Sequence, residues 1–468
     1  MRQLCALAID LGASGGRGVA GHFDGGALTL TQVHSFPNNI IQVRGSYFWD
    51  ILHLYNETTA AIRKAANNGP VSVAIDGWAQ DFGLLDERGN LLGNVHSYRD
   101  PHSAGMKEKF SGMMPDEAFY AHTGLKPADI MSLFQLMGIR ELEKAAYEAA
   151  ETFLFVPDLI QYFLTGEKSC NITLAALSGL FDIHGRAWSE PVLNKTALKR
   201  VFPPLAKTGE RIGNIRYLDD AGHIQAISVA AHDTMSALAF IPERDERTIV
   251  LSSGTWSVLG HTLRQPVPSL DAMRMGLLNE VGFGEDLFLL KNLTGLWIEQ
   301  ELRREWNEGN DRDSLEKLRM AAQNSGYQGV FDSQIPEFAT PEHMERKIMD
   351  ALIKAGQPPP GDRAALYRCV LHSLARQYQS AIEDFETLSS RKFEKICVVG
   401  GGSKNALLNQ LTADACGKPV VAGPAESTAI GNILAQLIAL GELKDAEQAR
   451  ELVCRSFKRE TFLPQGKK

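Results

Sequence analysis

Apolar residues in this chain follow two rhythms. Short unbroken apolar runs alternate with stretches where apolar positions recur every three or four residues, which predicts strands alternating with helices in an α/β protein. Residues 4–10 (LCALAID) read as a buried strand closed by Asp10. A turn at Asp24-Gly25-Gly26 leads to a strand over 27–34. Helical spacing covers 50–67, a strand follows at 71–75, and 84–92 form a hairpin turning on Asp86-Glu87-Arg88-Gly89-Asn90. Residues 115–165 read as mostly helical. Further on, 248–260 read as strand, small-residue turn, strand. After the loop Pro358-Pro359-Pro360-Gly361, a long helix puts Leu366, Val370, Leu374, Tyr378, Ile382 and Phe385 on one face. A strand at 396–399, glycines 400–402, a helix at 406–415, a strand at 419–422 and a helix at 428–440 complete the pattern.

The segment Ile241-Pro242-Glu243-Arg244-Asp245-Glu246-Arg247 is mostly charged and lies between apolar runs. It is expected to join two domains, residues 1–242 and 243–468. The strand–turn–strand at 248–260 resembles that at 4–20, as a weak internal duplication with one copy per domain would produce. The length of 468 residues suits two or three domains.

Composition narrows the function. Forty-eight basic against 56 acidic side chains leave a net charge of −8, a poor match for a nucleic-acid partner. No stretch approaches 18 apolar residues, so no membrane span is expected. The apolar run after Arg2 stops at Asp10, too soon for a signal peptide. The six cysteines are at least 19 residues apart, which rules out CxxC motifs and points to reduced thiols buried in a cytoplasmic protein. The 12 histidines show no metal-ligand spacing.

Gly16-Arg17-Gly18-Val19-Ala20-Gly21 matches GxGxxG, but it runs into an apolar segment and a hairpin where a dinucleotide site needs a helix. Residues 10–17 read better as a hairpin cradle. Asp10 ends a strand, the small turn Gly12 to Gly16 lets backbone N–H groups face a phosphate, and Arg17 adds charge. An acid beside a phosphate site suits an intervening Mg²⁺. In Ala230-Ala231-His232-Asp233-Thr234, Asp233 suits a base that accepts a hydroxyl proton. Ser252-Ser253-Gly254-Thr255-Trp256-Ser257 is a second small-residue hairpin. Gly400-Gly401-Gly402-Ser403-Lys404-Asn405 would let a flat ring lie on the backbone ahead of a helix N-terminus. Each stretch also reads as ordinary turn or helix-cap chemistry.

Together they carry a resemblance. Ala8 to Arg17, Ile75-Asp76-Gly77-Trp78-Ala79-Gln80-Asp81-Phe82, His232-Asp233-Thr234, Ser253-Gly254-Thr255-Trp256-Ser257, Lys291-Asn292-Leu293-Thr294-Gly295-Leu296-Trp297, Val398 to Ser403 and Ala429-Ile430-Gly431-Asn432 occur in the order found in the FGGY carbohydrate kinases. The chain most resembles their rhamnulokinase branch. The resemblance implies two actin-like, ribonuclease-H-like ATPase domains flanking a deep catalytic cleft. It implies ATP-dependent phosphorylation of a ketose, with L-rhamnulose to its 1-phosphate as the leading case, by a monomer or homodimer. Ala13, Ser14, Gly15, Gly16, Arg17 and Thr255 would contact ATP phosphates, and Gln300, Gly401 and Gly402 the rest of the nucleotide. Asp10 and Asp233 would hold Mg²⁺, with Asp233 as catalytic base. Ala79, Gln80, His232, Asp233, Thr234 and Asn292 would meet the sugar.

One stretch departs from that branch, which typically reads Asp-Thr-Trp-Gly-Val-Asp-Phe where this chain has Asp76 to Phe82. Ala79 adds a methyl group and Gln80 an amide at a sugar-facing place, which leaves L-fuculose or a pentulose as alternatives. An actin-like ATPase scaffold is the rival from another class, and His232-Asp233 and Asn292 speak against it. The absence of clustered cysteines speaks against a zinc-containing ROK-type kinase. Trp256 and Trp297 are expected in core or wall packing, Trp78 in either wall or sugar site, and the charged runs 303–305 and 243–247 on solvated surface.

Overall fold

The computed structural model describes residues 4–306 and 312–465. Contacts divide the chain into two compact units, and the first break falls at Pro242/Glu243, inside the charged junction. The grouping differs from the expected 1–242 and 243–468. Thr262–Leu289 and Ser427–Ser456 pack with the first unit, while Glu243–His261, Leu290–Glu426 and the chain from Phe457 form the second.

The first unit is built on a sheet of β1 (Leu4–Leu11), β2 (Gly15–Phe23), β3 (Leu28–Pro37), β4 (Pro70–Gly77), β5 (Arg211–Asn214) and β6 (Gln225–Ile227), in the order β5-β6-β4-β1-β2-β3. β1 is an almost unbroken apolar run because both helix α1 (Ile51–Ala65) and the late helix Ser427–Leu440 pack on it. It pairs antiparallel with β2, setting Asp10 opposite Arg17, and parallel with β4, setting Asp10 beside Asp76. Gly16 to Gly21 lie wholly within β2, paired on both sides, so no helix follows the GxGxxG match. The stretch expected to be mostly helical contains helix α2 (Ser132–Leu142) but is broken by the strand Thr152–Phe155, which pairs antiparallel with Phe82–Leu85. All four of its residues are buried, as a short apolar run covered on both faces requires. Helix α3 (Asp233–Leu238) follows the sheet.

Helix Ser427–Leu440 completes this unit with polar as well as apolar contacts. Gln436 donates to Leu7 O (3.0 Å) and accepts from Ser72 Oγ (2.7 Å). A Cβ added to Gly431 would stand 1.8 Å from Ser236 O of α3, so only glycine lets the two helices meet this closely.

The second unit carries β7 (Thr248–Ser253), β8 (Trp256–Leu263) as far as His261, β9 (Leu287–Thr294) from Leu290, β10 (Lys395–Val399), β11 (Val420–Ala422) and β12 (Glu460–Phe462), in the order β9-β8-β7-β10-β11-β12. β7 pairs antiparallel with β8 and parallel with β10, the same arrangement that β1 has with β2 and β4. Its helices include α4 (Trp297–Glu305), α5 (Arg363–Ser389) and α6 (Ala406–Cys416). α5 buries the six apolar residues read from its spacing. None of the six cysteines is in a disulfide; four are buried, Cys416 is half-buried and Cys454 exposed. Among the described residues no helix is long and apolar enough to cross a membrane.

Candidate active site

Parallel pairing of β1 with β4 brings two carboxylates side by side at the strand ends. Asp10 Oδ2 accepts from Arg17 Nε at 3.0 Å. Asp76 is fully buried, with one oxygen bound by the Asn432 side chain and the other, Oδ1, without a hydrogen bond. Burial, then the charge of Asp10, push the Asp76 carboxyl well above the usual carboxylate range; Asn432 opposes the shift and Asp233 adds to it. Asp233 joins this group because Gly77, at the end of β4, bridges to His232 and donates to Ala231 O at 2.9 Å. The electrostatic influence of both Asp10 and Asp233 on Asp76 marks this corner of the first unit as a cluster of carboxyl groups.

Asp233 opens α3. Its Oδ1 accepts from Thr234 N (2.5 Å) and Thr234 Oγ1 (3.2 Å), and its side chain is 36% exposed. His232 N donates to Thr173 Oγ1 (3.0 Å), and Thr173 Oγ1 donates to Asn171 Oδ1 (2.6 Å). Asn171 Nδ2 in turn reaches Ser228 Oγ (2.9 Å) and Val229 O (2.7 Å), so the turn that carries Asp233 is fixed from behind. His232 Nε2 lies 3.6 Å from Asp233 Oδ1, and Nδ1 lies 3.2 Å from Glu280 Oε2. Burial works to lower the His232 pKa, but the Glu280 carboxylate, with Asp233, outweighs it and raises the value.

The turn between β1 and β2 is a two-residue hairpin: Gly12 N donates to Gly15 O (3.1 Å) and Gly15 N to Gly12 O (3.3 Å). Ala13 is half-buried and Ser14 exposed at its tip, while Asn38 holds it from behind by donating to Gly12 O (3.0 Å) and Ser14 O (3.3 Å).

The segment after β4 is clamped from several sides. The Asp81 carboxylate accepts from Trp49 Nε1 (2.6 Å), Trp78 Nε1 (2.9 Å) and Gln135 Nε2 (3.0 Å). Burial pushes its pKa up to about 6 against those bonds. Trp78 is buried and packs on Trp49, ring centroids 4.4 Å apart, so it is wall. Ala79 is half-buried. Gln80 has φ +86°. Its side-chain amide is taken up by the protein: Nε2 donates to Leu177 O (3.1 Å) and Oε1 accepts from Ser132 N (3.3 Å). The Gln80 carbonyl accepts from Ser132 Oγ at 2.6 Å. The amide expected at a sugar-facing place is thus held by Ser132, at the start of α2, and by Leu177.

In the second unit, the β7–β8 hairpin, Leu296 and the glycine cluster converge. Gly254 O accepts from Leu296 N (2.8 Å), Thr255 O from Trp297 N (3.1 Å), and Thr255 Oγ1 donates to Gln300 Oε1 (3.3 Å). Gly295 sits where a Cβ would meet Gly254 O at 2.6 Å. Gly402 packs on Ser253, whereas Gly401 is exposed with open space at its Cβ position. Gln300 and Asn292 are exposed. Trp256, expected in packing, is 62% exposed, because the hairpin tip carries it outward. Trp297 is half-buried and donates to Phe338 O at 3.1 Å. The run 303–305 is not all solvated surface: Arg303 is largely buried beside Glu299 (3.6 Å), and Glu305 caps the helix Met344–Lys354 at Glu345 N (3.0 Å).

Sequence reading gave no role to Asp76, Asn432 or Glu280. Asp76 and Asn432 stood inside quoted motifs, but their meeting across 356 residues is a matter of folding alone. A histidine cluster also escaped it. His96, Asp100 and His102 come together, buried, with Glu143 on His96 Nε2. The two rings stack at 4.1 Å and 30°. Asp100 is already engaged by Tyr47 N, His102 N (2.9 Å) and His102 Nδ1 (2.8 Å), and the group is a brace.

Comparison with known families decides the reading. Residues 5–239 match the N-terminal domain of the FGGY family of carbohydrate kinases, and residues 249–440 its C-terminal domain. The chain belongs to the FGGY family of carbohydrate kinases. The kinase is 37% identical to a rhamnulokinase of Bacteroides thetaiotaomicron, over 98% of this chain and 96% of that protein. It is 35% identical to one from Oceanobacillus iheyensis, over 98% of each, and 32% identical to one from Bacillus subtilis, over 98% and 95%. Among solved structures it matches a ligand-bound xylulose kinase from Lactobacillus acidophilus (TM-score 0.80, 16% identity, 98% and 94% covered). It also matches a Plasmodium falciparum glycerol kinase with ADP (TM-score 0.79, 16% identity, 99% and 94% covered). These likenesses give the kinase the two-domain actin-like fold. As a carbohydrate kinase it uses ATP, and with ATP a divalent cation.

Proposed function

We propose that this kinase transfers the terminal phosphoryl group of ATP to the 1-hydroxyl of L-rhamnulose, with Mg²⁺ as its cation. The observation that carries the substrate is 37% identity to a rhamnulokinase along nearly the whole of both chains. The first unit supports the chemistry. Thr234 holds Asp233 Oδ1, which leaves Oδ2 to accept the proton as the hydroxyl attacks. Asp10 and Asp233 would hold the cation, with Asp76 Oδ1 beside them; when bound, it neutralises charge on the transferring phosphoryl group. The N–H groups of Ala13 and Ser14 at the hairpin tip suit phosphate oxygens, with Gly15 and Gly16 shaping the turn, and Arg17 holds Asp10 in place. In the second unit, Thr255, Gln300, Gly401 and Gly402 are proposed to bind nucleotide, Gly401 because its open backbone face accepts a flat ring. Ala79, His232, Asp233, Thr234 and Asn292 are proposed as sugar contacts, with Gln80 supporting Ala79.

A coupled ADP-release assay with ATP and Mg²⁺ across L-rhamnulose, L-fuculose, L-ribulose and D-xylulose tests the reading. The expected result is a kcat/KM for L-rhamnulose at least about tenfold above the others, the scale a misplaced hydroxyl produces. A higher kcat/KM for any other ketose would refute the substrate.

A further inference from the structure

Glu280 sits on the strand Leu278–Val281 of the first unit with its side chain 3% exposed. Its Oε2 has no hydrogen bond, and neither has His232 Nδ1; the two buried atoms face each other at 3.2 Å. A buried carboxylate is costly without a partner, and His232 is the partner the fold supplies to this oxygen. The strand is itself fixed. Asn279, next to Glu280, accepts from Val267 N (2.6 Å) and donates to Val267 O (3.3 Å) and Gly124 O (3.4 Å). On the histidine side, the backbone is pinned through Thr173, so ring rotation is the freedom that remains. Glu280 takes the Nδ1 edge of the ring. The Nε2 edge is then turned to the side of Asp233.

We propose that Glu280 is the positioning residue for ketose recognition: it fixes the His232 ring so that Nε2 is presented to a sugar hydroxyl beside the base. The proposal rests on the reading of His232 as a ketose contact. Glu280 is too deeply buried to touch the sugar. Its effect should therefore appear in ketose affinity, while ATP affinity and the chemical step stay nearly unchanged.

Glu280→Gln keeps the shape and removes the charge. The expected result is a rise of about tenfold in the KM for L-rhamnulose, the scale of a lost contact to a charged group. The KM for ATP and kcat should stay within about threefold, and the thermal midpoint should show a folded protein. Glu280→Met, which removes every acceptor, should give a larger rise and serves if the glutamine variant does not fold. In a His232→Asn background, Glu280→Gln should add nothing further, since the ring it orients is gone. A ketose KM unchanged in the folded variant overturns the proposal, as does an equal effect with and without His232. A loss of ATP affinity in parallel with ketose affinity would mark a merely structural role and overturns it too. Wild-type enzyme that phosphorylates no ketose would overturn the functional reading and this proposal together. Active wild type with an unmoved Glu280→Gln overturns this proposal alone.

Discussion

Replacing Gln80 separates a brace from a sugar contact. The residue combines φ +86° with an amide bound at both ends, to Leu177 O and Ser132 N. Valine at this place would lose both bonds, about 1 kcal/mol each. It would also force a β-branched residue into the left-handed region, adding about 1–2 kcal/mol beyond what glutamine already carries. Glycine loses the same bonds but relieves the backbone by roughly 1 kcal/mol. Gln80→Val should therefore cost about 3–4 kcal/mol and Gln80→Gly about 1 kcal/mol, a gap of about 2–3 kcal/mol that comes from the backbone alone. Urea midpoints of the three proteins, followed by tryptophan fluorescence, should rank wild type above glycine above valine. Two units need not unfold in one step, so the ranking of the earliest transition is what counts. The ratio of kcat/KM for L-rhamnulose to that for L-fuculose should move by less than about threefold in Gln80→Gly. A valine variant as stable as the glycine variant would refute the backbone argument, and a shift in sugar preference beyond about tenfold would refute the brace.

Three further outcomes are expected. Asp233→Asn should lose about 10²–10⁴ in kcat while calorimetry still shows ketose and ATP binding; a variant keeping a tenth of wild-type turnover would remove Asp233 as base. Gly431→Ala, whose Cβ would meet Ser236 O at 1.8 Å, should lower the thermal midpoint by the roughly 1–3 kcal/mol of an overpacked contact and depress kcat by shifting α3; full activity would mean the helices part without moving Asp233. Asp158 is buried and its carboxyl is pushed up to about 8 by burial, so the folded state binds its proton more tightly than the unfolded chain does. That contribution is present at low pH and is lost as pH rises toward 8, so Asp158→Asn should gain on wild type as pH rises from roughly 5 to 8, and parallel stability profiles would contradict it.

What could be read in the sequence was local. The strand-ending Asp10 with its small turn, the stripe along α5 and the charged break at Pro242/Glu243 depend on neighbouring residues, and chain order preserves them. Long-range pairing was not legible. Asp76 became part of the acid group because β4 lies parallel to β1, and nothing between residues 10 and 76 states that register. Glu280 reads as any acid on a strand until it is placed against His232. The strand Thr152–Phe155 was hidden inside apolar helical sequence because a four-residue run has no period of its own. That the Gln80 amide is held within the chain was equally hidden, because its partners, Ser132 and Leu177, lie 52 and 97 residues away.

The late helix Ser427–Leu440 sets an order of events during synthesis. Asp76 and the surface of β1 leave the ribosome early, yet Asn432 and Gln436, which partner them, come more than 350 residues later. At about 5–20 residues per second, the early sheet waits roughly 20–70 seconds with a buried-type carboxylate and an apolar strand uncovered. The first unit therefore cannot be completed until translation is nearly finished. For the same reason, an expression fragment cut at Pro242 would lack its own lid and should precipitate, whereas one in which residues 427–456 are grafted back by a flexible linker has the parts to fold.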